Sequence, residues 1–149
     1  MGERALRIGK RAWPRRCLHV ESRHLDEFNE EGWNRCYGEM ADLMDVLPRV
    51  AGMVATSWFY DPALTEISPR LAYLRRVPVD AGAVTVRHGT TQFDIDSATK
   101  TSPSRRALYQ EGKYMPTCWS IVWPRAAMLA WRDRYRREAP VSAAASAAA

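Results

Sequence analysis

Two groups of side chains in this sequence have the types and spacing for chemistry. The first is His88 with a carboxylate from Asp61, Asp94 or Asp96. Imidazole titrates near neutral pH, and a carboxylate that fixes its tautomer makes it an oriented general acid or base. His88 and Asp61 are therefore candidate catalytic residues. The second group is Ser102-Pro103-Ser104-Arg105-Arg106. A serine before a proline is a helix start, and the backbone N–H groups exposed there, flanked by two guanidinium groups, suit a phosphate or a carboxylate. Ser102, Ser104, Arg105 and Arg106 are candidate ligand-binding residues; the same segment also reads as an ordinary capped helix with solvated arginines.

Other chemistries fit less well. His19, Glu21 and His24 are close in sequence, but strand alternation puts His19 and Glu21 on one face and His24 beyond the strand end. That spacing is not the helical two-histidine zinc pattern, so no metal site is expected, and His24 stays as a candidate ligand residue at a strand end. Cys17, Cys36 and Cys118 are odd in number, widely spaced and set in apolar surroundings, as reduced core thiols are. Neither phosphate-cradling glycine fingerprint, GxGxxG or GxxxxGK[ST], is present.

The elements that must position these residues centre on Val50 to Leu74. Met53, Val54, Ala55, Trp58, Phe59 and Tyr60 lack clean alternation, which predicts a strand covered on both faces. Asp61-Pro62 and Ser68-Pro69 each pair a capping side chain with a proline suited to the first helical position, so two short helices follow, the second over Pro69 to Arg75. Before this stretch, Cys17 to Arg23 alternates as a short strand. Apolar residues from Leu25 to Leu47 recur at three and four, predicting a helix from about Asp26 to Val46 that Pro48 ends. After it, Ala83 to His88 reads as a strand and Phe93 to Thr101 as a weak helix or irregular connection. The capped helix from Ser102 closes at Gly112, Thr117 to Trp123 is a further strand, and Pro124 opens a last helix to about Arg137.

Strands alternating with helices in this way predict an α/β (or α+β) domain: a single layered unit, about four strands, and a mostly parallel sheet. Residues 1–16 form a basic arm, 17–138 the domain, and 139–149 a low-complexity tail. In a parallel sheet ligands sit beyond the carboxyl ends of the strands. There the turns bearing Arg23 and His24, Asp61, His88 and Gly89, and Trp123 and Arg125 would meet.

One segment carries a likeness to a known family. ALYQEGKYMP before an apolar strand resembles the C-terminal half of GNAT-type acyltransferases, in which a tyrosine-bearing helix ends in a glycine-aromatic turn. Tyr109 and Gly112-Lys113-Tyr114 occupy comparable places, over about fifty residues. The resemblance implies Tyr109 as general acid and acyl-CoA as cofactor. The glycine-rich pyrophosphate loop of that family, R/Q-x-x-G-x-G/A, has no counterpart in this sequence.

Composition bounds what remains. A chain of 149 residues has material for one ordinary core. No run of eighteen or more apolar residues exists, which argues against a membrane span, and the N-terminus lacks the apolar middle of a secretory signal. Arginine outnumbers lysine nineteen to three, a skew common in GC-rich genomes, so a soluble cytoplasmic protein of bacterial type is expected. The net charge of +5 is modest. The leading expectation is a domain binding a small anionic ligand at the strand ends, with acyl transfer as its possible chemistry. A protein-interaction module, a homo-oligomer, or a nucleic-acid binder using the basic arm and the last helix are the alternatives.

Overall fold

In a computed structural model the described residues are 28–138. The expected basic arm, the strand from Cys17 to Arg23, His24 and the low-complexity tail lie outside them. Asn29 opens the first helix by accepting the Gly32 N–H at 2.9 Å, and Glu30 and Glu31 put negative charge where the helix dipole favours it. This helix, α1, spans Glu30–Val46 and buries Tyr37, Ala41 and Met44. Its far end is clamped by Arg125, whose Nη1 donates to the carbonyls of Met44, Leu47 and Val50. A guanidinium there satisfies carbonyls that have no partner within the helix.

Next come β1 (Gly52–Ser57), 3₁₀ turns at Trp58–Tyr60 and Pro69–Leu71 around the short α2 (Leu64–Ile67), and α3 (Tyr73–Asp80). Then follow β2 (Val84–Gly89), α4 (Gln92–Thr99), α5 (Pro103–Gln110), β3 (Cys118–Pro124) and α6 (Arg125–Glu138). At the start of β1 only glycine fits. Gly52 has φ +154°, and a Cβ there would stand 2.3 Å from the Trp123 carbonyl oxygen.

Among the described residues the sheet has three strands in the order β1-β3-β2, and both ladders are antiparallel. This overturns the expected mostly parallel sheet of about four strands: the domain is mixed α+β. The helical crossover between β1 and β2 does set those two strands in the same sense. However, β3 enters the gap between them running the other way, so neither ladder is parallel. Element alternation along a sequence does not reveal such an insertion.

One face of the sheet is covered and the other is open. Met53, Ile121 and Trp123 point inward beneath α1, α3 and α6. Tyr37, Trp123 and Trp131 meet edge to face, with centroids 5.3 to 6.0 Å apart, a geometry that adds about 1 kcal/mol per pair beyond area burial. The Trp123 indole N–H donates to the Ala81 carbonyl at 3.3 Å. On the opposite face, Val54, Val122 and Val84 are register partners in one row across the strands, and all three are exposed. The expectation that the Val50 strand is covered on both faces therefore fails. Among the described residues no helix is long and apolar enough to cross a membrane.

Candidate functional site

The site begins where β1 stops. The Ser57 hydroxyl accepts the Phe59 N–H at 3.2 Å and starts the 3₁₀ turn, which sets Trp58 and Phe59 side by side with centroids 4.2 Å apart. Asp61 then fixes the exit. One of its carboxylate oxygens accepts the Ala63 N–H at 3.1 Å and the other the Thr117 N–H at 3.0 Å, tying this turn to the start of β3.

From the other side α5 contributes Arg105. Ser102 caps the helix by accepting the Arg105 N–H at 3.4 Å, and the Arg105 side chain turns inward. Its Nε donates to the Ala98 carbonyl at 2.6 Å, its Nη1 to the Ser68 hydroxyl at 3.1 Å, and its guanidinium lies 5.0 Å over the Trp58 ring. Arg105 is 4 % exposed, and no ion pair joins it to a carboxylate among the described residues. Burial lowers its pKa against the opposing influence of Tyr114, while the nearby Arg70 lowers it further; the guanidinium still keeps its charge.

Between these walls is a cavity of about 610 Å³, within the usual size of a small-molecule pocket. Phe28, Trp58, Phe59 and Tyr73 supply its aromatic surface, and Ser97 and Thr101 line the α4 side. Arg70, Arg76 and Arg105 line it against a single carboxylate, Glu30. Glu30 is itself paired with Arg76 at 2.5 Å in an exposed bridge. Tyr73 is 6 % exposed, and its hydroxyl has no hydrogen-bond partner among the described residues. Burial first, and the Glu30 charge second, push its pKa up, so it stays a neutral donor.

The residues expected from the sequence are thus dispersed. Arg105 faces the cavity. Ser102 and Ser104 hold each other through their hydroxyls at 3.1 Å at the α5 start. Arg106 reaches back to the carbonyls of Thr99 and Lys100 and caps α4. Asp61 is a buried staple. His88 sits where the β2–β3 register shifts, on the open sheet face; its Nε2 meets the Ser120 hydroxyl at 2.7 Å, and Ser120 meets Thr56 at 2.6 Å. Among the described residues no carboxylate orients it: Asp94 closes a capping box with Thr91, and Asp96 bonds Gln92. Tyr109 is outside the cavity lining.

Of the four turns expected to meet at one end of the sheet, that of Arg23 and His24 lies outside the described residues, and the antiparallel order separates the others. β1 and β2 end on the rim where β3 begins, but β3 ends at the opposite rim. Trp123 there is core, and Arg125 is the clamp on α1. On the last helix, Arg132 and Arg136 are paired with Asp42 and Asp45 of α1 instead of facing water alone. Cys36 and Cys118 are free thiols whose pKa values burial raises, the opposite of activation. Among the described residues no cluster of metal-ligating side chains occurs.

The sequence reading missed Ser68, Tyr73, Trp58 and Phe59 as site residues. Ser68 had the pattern of a helix cap, yet its side chain caps nothing and instead accepts from Arg105. The one signal in the chain was the Trp58-Phe59 pair directly after a strand, which reads as core until the turn is seen.

Fold and site together define an α+β domain with a half-covered antiparallel sheet and an arginine-lined aromatic cavity beside it. Compared with known proteins, the chain matches no protein family, no curated protein and no solved structure.

Proposed function

We propose that this chain is a binding domain for a small organic anion, received in the cavity between the Trp58–Tyr60 turn and α3 on one side and α4 and α5 on the other. The observation that carries this reading is the Arg105 guanidinium, buried and, among the described residues, without a carboxylate. A cation held out of water is costly unless an anion or several acceptors compensate it. Ala98, Ser68 and the Trp58 ring compensate part of that cost, and an incoming anion supplies the rest. The cavity volume and the excess of arginine over carboxylate in its lining favour the same occupant. No catalytic step belongs to the reading, because His88, Asp61 and Tyr109 stand away from the cavity.

The test is thermal denaturation of the whole chain against a panel of small carboxylates and phosphomonoesters. A ligand selective for the folded state stabilises by about 2.7 kcal/mol at a hundred times its Kd. At least one anion is expected to raise the midpoint, and Arg105→Gln to remove that response. A panel in which nothing raises the midpoint at millimolar concentration sinks the proposal.

A further inference from the structure

Building on the anion-binding reading, we infer that the ligand is an aryl carboxylate, a flat ring carrying its charge in the ring plane. The inference starts from how Arg105 is held. With Nε committed to Ala98 and one Nη1 hydrogen to Ser68, the hydrogens left over are on Nη2 and the remainder of Nη1, at the far end of the guanidinium. A carboxylate meeting that end does so edge to edge, in the guanidinium plane. The Arg105 guanidinium lies over the Trp58 ring, and Trp58 lies beside Phe59 with an interplanar angle of 36°. Whatever the carboxylate carries therefore continues along this aromatic surface, which Phe28 extends with its centroid 5.6 Å from that of Phe59. Phe59 and Phe28 are half-buried and line the cavity. In an aryl carboxylate the charged group is conjugated with the ring and coplanar with it, so one rigid body meets both surfaces. A globular aliphatic acid offers the same charge but cannot lie flat on Phe59.

Isothermal titration of the full chain with 2-naphthoate, adamantane-1-carboxylate and inorganic phosphate decides the matter. The two acids have equal charge and carbon number and differ in flatness. Naphthoate is expected to bind about tenfold more tightly than the adamantane acid, the scale of one ring-stacking contact. Phe59→Leu is expected to erase most of that difference. If the two acids bind alike and Arg105→Gln weakens both, the ring inference falls while the anion reading stands. If neither acid nor phosphate binds, or Arg105→Gln leaves binding unchanged, the anion reading falls too. The wild-type preference is informative even if a variant fails to fold.

Discussion

Replacing Asp61 with alanine is expected to destabilise the domain without abolishing anion binding in the molecules that remain folded. Asp61 is 6 % exposed, and its carboxylate accepts two backbone N–H groups, from Ala63 and Thr117. Alanine leaves both donors without their acceptor. The Thr117 N–H is the costlier, because that bond is buried and Thr117 itself is 8 % exposed, so no water can step in. An orphaned buried donor costs about 1–3 kcal/mol, and the Ala63 N–H, nearer solvent, adds a fraction of that, giving roughly 3 kcal/mol in all. For a chain of this size the loss lowers Tm by about 10 °C and moves the urea midpoint by about 1.5 M. Asparagine restores one acceptor but turns an N–H₂ toward the other backbone donor, so it recovers only part. Circular dichroism through a urea titration measures both variants, and titration with the best anion measures binding below the unfolding transition. A stability change under about 0.5 kcal/mol, or a stable variant that has lost binding, refutes the staple and returns Asp61 to the chemistry.

Two further outcomes follow from the fold. Gly52→Ala puts a Cβ 2.3 Å from the Trp123 carbonyl oxygen at a φ of +154°, so urea denaturation is expected to show a loss of about 3 kcal/mol from backbone strain and displacement of β1 from β3; a loss under about 1 kcal/mol would mean the ladder shifts freely. Alkaline pH is expected to unfold the protein through its buried tyrosines. Burial above all, and then the charge on Cys36, pushes Tyr60 from its ordinary value up to about 12, and Tyr37, Tyr73 and Tyr114 are also raised. A raised folded-state pKa means stability fully present below about pH 10 and lost as pH climbs toward 12, roughly 3 kcal/mol for Tyr60 alone. Phenolate absorbance that follows ordinary tyrosine titration while circular dichroism stays native would contradict the burial.

What could be read from the residues was local. The periodicity of Tyr37, Met40 and Met44 gave α1, the Ser102-Pro103 start gave α5, and the run Thr117 to Trp123 gave β3, because each signal lies in or next to the element it specifies. Strand sense was not legible, since nothing in Cys118 to Pro124 records that it fills the space between β1 and β2. The same limit scattered the proposed site. His88 and Asp61 have the residue types of an acid/base pair, but His88 projects from the open face to Ser120, while Asp61 is spent on two backbone amides.

Arg105 is a candidate ligand residue in the sequence for one reason and in the proposed site for another. In the sequence, the ligand reading of Ser102 to Arg106 rests on exposed N–H groups at a helix start flanked by two guanidinium groups. In the fold Ser102 engages that start and Arg106 caps α4, so neither remains available in the manner expected. What singles out Arg105 is the combination of burial, an aromatic support and hydrogen bonds that engage only part of its donor set. A purely structural arginine in such a position would gain from a carboxylate neighbour, and the fold brings Tyr114 and Arg70 near it instead. A second cation beside a buried one opposes folding, and this supports the anion site proposed above.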